Sequence, residues 1–156
     1  MVNANDTKLK SWVDVPKDSD FPIQNLPFGI FKTNYLHPVA GVAIGNHVLD
    51  LVYLHENGFL DGLGLPYGIF NQNELNGFLA LGRKKGGEVR QRISELLRHD
   101  HDELKSNFVA REMALVACSS EDRTRSALYA AIGRAYDFSL AAQDEAEAFH
   151  DLVADA

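Results

Sequence analysis

The segment Ala40-Gly-Val-Ala-Ile-Gly-Asn-His-Val-Leu-Asp-Leu51 constrains the fold more than any other part of this chain. Val42, Ile44, Val48 and Leu51 are apolar points on either side of Gly45-Asn46. A Gly-Asn pair tolerates the positive φ that a two-residue reversal demands, so turn chemistry and flanking pattern agree on a β-hairpin. The segment before it is punctuated by Pro22 and Pro27, which hold their predecessors extended. Phe28, Ile30 and Phe31 then offer large apolar groups to a core. Such a hairpin builds a small β-structure and carries no chemistry of its own.

The rest of the described pattern is helical and loop-like, which makes the chain α+β. Leu51 to Asn57 reads as a short helix with Asp50 as N-cap and Gly58 just past its end. Asn73 to Leu81 reads as a second helix closed by Gly82, with Leu75, Phe78, Leu79 and Leu81 turned inward. A third is expected from Glu88, with Val89, Ile93, Leu96 and Leu97 on one buried stripe. Gly86-Gly87 delays that start, since each glycine costs about 1 kcal/mol relative to alanine in a helix. Ser11 to Val15 alternates weakly and is expected to be a first strand, with Trp12 and Phe21 as early core anchors. Met113 to Ala117 is expected to be a strand.

Composition sets the class. An apolar share of 46% and a charged share of 24% in 156 residues are globular. The net charge of −7 argues against nucleic acid, whose phosphates need a clustered basic face. No stretch approaches the ~20 apolar residues of a membrane span, and the polar first ten residues lack a secretory leader's apolar run. The single Cys118 cannot close an internal disulfide, so the expected compartment is the cytoplasm.

Candidate chemistry is sparse. Asp14, Asp18 and Asp20 cluster around Pro16, but the spacing and closing Glu of a calcium loop are missing, and turn-and-cap roles are the better reading. Gly62-Leu-Gly-Leu-Pro-Tyr-Gly68 lacks the preceding strand and the Lys-Ser/Thr ending of a phosphate cradle, so it reads as a connector. His99 and His101 would point about 200° apart on a helix and so could not share one metal ion there. His37, His47, His55 and His150 are scattered, and no Gly-x-Ser-x-Gly elbow occurs. Cys118 at the end of an apolar run reads as a low-reactivity thiol. The expected catalytic, cofactor and metal residues are therefore none.

A family resemblance rests on several ordered blocks. They are Ser19-Asp-Phe-Pro22, Asn25-Leu-Pro-Phe-Gly29, Gly41-Val-Ala-Ile-Gly45, Leu49-Asp-Leu51, Phe70-Asn-Gln72, Leu75-Asn76, Phe78-Leu-Ala-Leu-Gly82 and the Arg90 to Leu97 helix. Together these resemble the N-terminal domain of fumarylacetoacetases over about residues 10–117. The resemblance implies a small, partly open SH3-like β-barrel with helical insertions at 51–57, 73–81 and 88–99. The chain is then expected to divide into the family-like unit 1–117 and a helical tail, 118–156, that departs from the family. It also implies a parent activity: hydrolysis of a carbon–carbon bond in 4-fumarylacetoacetate, giving fumarate and acetoacetate at the end of tyrosine breakdown. Relatives use Ca²⁺ or Mg²⁺ there, held by a downstream catalytic domain. The family usually carries an aromatic near Gly86, which this chain lacks.

Beyond 118 the family pattern fades. Ile132-Gly-Arg-Ala-Tyr-Asp-Phe138 echoes the opening of the catalytic domain, with Asp137 at a ligand position. Arg134 replaces the first Asp of that motif, and Asp144 stands where the general-base histidine belongs. A lone carboxylate holds Ca²⁺ or Mg²⁺ poorly, because both want six or more oxygens. Arg123 to Tyr136, with Leu128, Ile132 and Tyr136 four apart, reads instead as an amphipathic helix, and Ser139 to Val153 as another. From Asp137 onward there are six acidic residues and no Lys or Arg, a solvated face. The expectation is a non-catalytic domain, inactive alone, whose partner is a fumarylacetoacetase catalytic domain or itself. The alternative is a stand-alone interaction module using the tail for self-association or docking. A small enzyme built on Asp137, His150 or Cys118 is the least favoured.

Overall fold

A computed structural model describes residues 6–33 and 37–118. Four strands, β1 (Phe28–Phe31), β2 (Val39–Ile44), β3 (His47–Asp50) and β4 (Leu115–Ala117), form one antiparallel sheet in chain order. The hairpin forms as its turn chemistry requires: Ile44 faces His47 across Gly45-Asn46, and Gly45 takes φ +54°. One apolar row crosses the whole sheet, Phe28 opposite Val42, Val42 opposite Leu49 and Leu49 opposite Leu115. Val42, Ile44 and Leu49 are completely buried. Among the described residues β1 and β4 are the two edges, so the sheet is an open one and does not close into the expected barrel.

β3 runs directly into α1 (Leu51–Glu56) because Asp50 caps it. The buried Asp50 carboxylate accepts from Val52 N–H at 2.8 Å and Tyr53 N–H at 3.0 Å, satisfying two orphan donors of the first turn. Gly58, at φ +81°, ends the helix in a Schellman arrangement. Phe59 N–H donates to Leu54 at 3.0 Å and Gly58 N–H to His55 at 3.5 Å, while Leu54 and Phe59 are both buried.

The next helices depart from the sequence expectation. α2 is only Asn76–Leu79, and α3 begins at Gly82 and runs to Leu97, through Gly86-Gly87. Val89, Ile93, Leu96 and Leu97 are fully buried as expected, and their packing outweighs the glycine penalty. A Cβ at Gly86 would meet nothing within 4 Å, so the aromatic usual in the family leaves no hole here. Leu79 is 63% exposed and Leu81 36%, contrary to an inward face; Phe78 alone of α2 is buried. Its ring meets Phe28 at 5.2 Å and Phe70 at 5.1 Å, which fixes α2 beside β1.

Ser11 to Val15 is no strand. Ser11 forms an isolated bridge to Arg98, and this segment caps the end of α3 instead. Ser11 Oγ and Trp12 N–H donate to the Leu97 carbonyl, and the Trp12 indole N–H donates to the Leu96 carbonyl at 2.9 Å. Those are carbonyls a helix leaves unpaired at its C-terminus. Trp12 packs on the core, but Phe21 is 38% exposed and does not anchor it. Ile30 is likewise 37% exposed.

α4 (Asp102–Lys105) and α5 (Phe108–Ala114) complete the described chain. Met113 and Ala114, expected in a strand, are the last turn of α5, and β4 begins only at Leu115. A short apolar run does not distinguish these states. α3 also grips the loops around it by their backbones. Lys85 Nζ donates to Leu63 O at 2.5 Å, Arg90 to Gln24 O and Leu26 O, and Arg92 Nε to Phe59 O.

Candidate functional site

The histidines expected to be scattered do occupy separate roles. His37 Nε2 lies 2.5 Å from Asn71 Oδ1, and the His55 ring stands edge-on to Phe70 at 5.8 Å. His47 sits in β3 opposite Ala117, with its Nδ1 buried and without a partner among the described residues. His99 and His101 lie at the α3–α4 turn, not on a continuous helix. Around that turn the charges pair locally. Arg92 makes a two-pronged contact with the Glu103 carboxylate at 2.7 and 2.9 Å, His101 Nε2 lies 3.2 Å from it, and Arg98 pairs with Asp100. Burial raises the Glu103 pKa, but the Arg92 and His101 hydrogen bonds outweigh it and leave the group below its ordinary value. The Arg98 guanidinium holds the Asp100 carboxyl low, and Lys85 does the same for Glu88.

Asp18 sits in the turn closed by Ser19 N–H donating to Pro16 O, Asp20 lies at a bend whose carbonyl accepts from the Asn25 amide, and Asp14 lies in irregular chain before Pro16. Among the described residues no three His, Cys, Asp or Glu side chains gather as a metal-binding group. In the Gly62–Gly68 loop Ile69 N–H donates to Pro66 O, with Gly68 at φ +69° at the turn's third position. That geometry is a type II turn, and it leaves Tyr67 93% exposed at the corner. Cys118 is exposed, and its N–H donates to Asn46 O at 2.8 Å. Asp137, Asp144, Arg134, His150 and the two helices expected in the tail lie outside the described residues.

The described part also presents a continuous exposed run. After buried Phe78, every residue from Leu79 to Lys84 is exposed: Leu-Ala-Leu-Gly-Arg-Lys. Apolar spacing does not reveal such a run, because it reports a face and not what covers it.

The sequence from residue 24 to residue 124 matches the family described as Fumarylacetoacetase N-terminal. The chain belongs to that family. It is 44% identical over 116 residues to the fumarylacetoacetase of Caenorhabditis elegans, covering 71% of this chain and 27% of that one. It is 46% identical over 105 residues to the Arabidopsis thaliana fumarylacetoacetase, covering 66% and 25%. The similarity to the Homo sapiens fumarylacetoacetase is 36% over 111 residues, or 70% and 26%. The chain thus spans about a quarter of the length of the curated relatives it matches. No described helix is long and apolar enough to cross a membrane.

Proposed function

We propose that this chain supplies the non-catalytic N-terminal domain of a fumarylacetoacetase-like hydrolase and has no hydrolase activity alone. The observation that carries this reading is the extent of the match. It is confined to the family's N-terminal segment and amounts to a quarter of each relative. The parent reaction would be cleavage of 4-fumarylacetoacetate to fumarate and acetoacetate in tyrosine catabolism, in the cytoplasm. Its Ca²⁺ or Mg²⁺ and its water-activating base would reside in the catalytic portion, as would the diketone contacts. On this reading the open four-stranded sheet is this chain's version of the small SH3-like barrel.

The described side chains support that division of labour. Their polar groups serve caps, turns and surface ion pairs, as in the Asp50 cap and the Arg92–Glu103 contact. The test is to assay the 156-residue chain with fumarylacetoacetate and millimolar Mg²⁺ or Ca²⁺. Rates equal to buffer are expected, and turnover well above buffer would overturn the proposal.

A further inference from the structure

We infer that Asn76-Gly77, at the start of α2, is a site of spontaneous covalent modification, where the chain cyclises to a succinimide and reopens as aspartate or isoaspartate. The tripeptide Asn-Gly-Phe occurs twice in this chain, at 57–59 and at 76–78. Glycine has no Cβ to shield its amide nitrogen from the preceding side chain, so both copies carry the same local chemistry. Only the fold separates them.

At Asn57 both reacting groups are held. Its Nδ2 donates to Tyr53 O at 2.9 Å, and Gly58 N–H donates to His55 O at 3.5 Å in the Schellman end of α1. Gly58 is also half-buried. At Asn76 the nucleophile is free. Gly77 is the second residue of α2, and its N–H has no partner among the described residues, as is usual for the first donors of a helix. Asn76 and Gly77 are both exposed, and the Asn76 Nδ2 donates only to the exposed Glu74 carboxylate, at 3.1 Å. The turn itself is closed by Leu79 N–H to Leu75 O and Ala80 N–H to Asn76 O, both at 2.9 Å. A single helical turn has little stability of its own, so Asn76 can leave helical shape by a small local opening.

The chemistry needs only water. Gly77 N attacks Asn76 Cγ and gives up its proton as the ring closes. The Cγ–Nδ2 bond breaks with its electron pair on nitrogen, which departs as ammonia. Nucleophile and carbonyl carbon belong to one chain, so closure is unimolecular. Water then adds to either ring carbonyl, and the bond from that carbonyl to the ring nitrogen breaks. In the iso product the main chain gains a carbon one residue before Phe78, whose ring lies 5.2 Å from Phe28 and 5.1 Å from Phe70. The modification thus works against the contact that fixes α2 beside β1.

The test incubates the full 156-residue chain in mildly alkaline buffer made with heavy-oxygen water and follows each asparagine by peptide mass spectrometry. Folded wild type is compared with wild type unfolded in urea and with folded Gly77→Ala. A Cβ at Gly77 meets Ile69 Cδ1 at 3.5 Å, an ordinary contact distance, so this variant keeps the fold while shielding the nitrogen. In the folded chain Asn76 should take up heavy oxygen at least about tenfold faster than Asn57, where two hydrogen bonds must open before attack. Urea should bring the two sites to a common rate, and Gly77→Ala should slow Asn76 to the rate of Asn57 or below. Equal rates in the folded chain, no conversion at either site, or a difference that persists in urea would each sink the assignment, and none of these readings depends on the variant. An Asn76 rate unmoved by Gly77→Ala would exclude cyclisation through Gly77 and sink it as well.

Discussion

Gly41 lies in the middle of β2, opposite Gly29 on one side and Asp50 on the other. A Cβ placed there would come within 2.5 Å of Val48 Cγ1 and 2.7 and 2.8 Å of two Phe31 ring carbons. Carbon pairs are most favourable at about 3.5–4.0 Å, so Gly41→Ala forces Val48 and Phe31 to move. Overpacking of this kind costs about 1–3 kcal/mol. Losing glycine's unfolded-state freedom offsets about 0.4–1 kcal/mol of that. The central expectation is a destabilisation of about 1.3 kcal/mol, within a span of roughly 0–2.6 kcal/mol, or about 3–5 °C in Tm at 2–4 °C per kcal/mol for a chain of this length. Urea unfolding followed by far-UV circular dichroism gives the free energy directly. The same substitution made on a Val48→Ala background should cost less, with a coupling of about 0.5 kcal/mol or more, because the nearest clashing atom is gone. A Gly41→Ala protein as stable as wild type, or a penalty unchanged by Val48→Ala, would refute this account of the sheet.

Two further outcomes follow from the caps and charges. Asp50→Ala removes the acceptor of Val52 and Tyr53 N–H at a buried position, so it should cost about 1–2 kcal/mol in the same unfolding experiment, with the loss localised by faster amide exchange in α1. Glu103 titrates below its ordinary value in the folded chain, so its stabilisation is present above pH 4.5 and is lost as the pH falls through the lowered folded value. Arg92→Met should therefore flatten the stability–pH curve on the acid side of pH 4.5 while changing its shape little near neutrality, and an unchanged acid slope would contradict the pairing.

The elements legible in the sequence were those with local chemical signatures. Gly45-Asn46 specifies a reversal, Asp50 and Gly58 mark both ends of α1, and Val89, Ile93, Leu96 and Leu97 repeat at helical spacing. Where the sequence misled, tertiary context decided. Gly86-Gly87 suggested a late start for α3, but the buried stripe beyond them and Lys85's hold on Leu63 O and Glu88 keep that first part helical. Ser11 to Val15 alternates like a strand, yet its donors are taken up by the open carbonyls at the end of α3. Leu79 and Leu81 follow the helical pattern of Leu75 and Phe78, but α2 stops at Leu79 and only Phe78 turns to the core, which leaves both leucines exposed. No local pattern says whether an apolar side chain is meant for its own domain or for another.

The grip of α3 on its loops has a consequence for how such a chain can change over generations. Lys85, Arg90 and Arg92 hold peptide oxygens at Leu63, Gln24, Leu26 and Phe59, and every residue type carries such an oxygen. These hydrogen bonds therefore place no demand on the acceptors' side chains, whose constraint comes instead from packing, as at buried Leu26 and Phe59. Within each of these hydrogen bonds the donor is bound by its charge and reach, whereas the acceptor is bound only by the space its side chain fills.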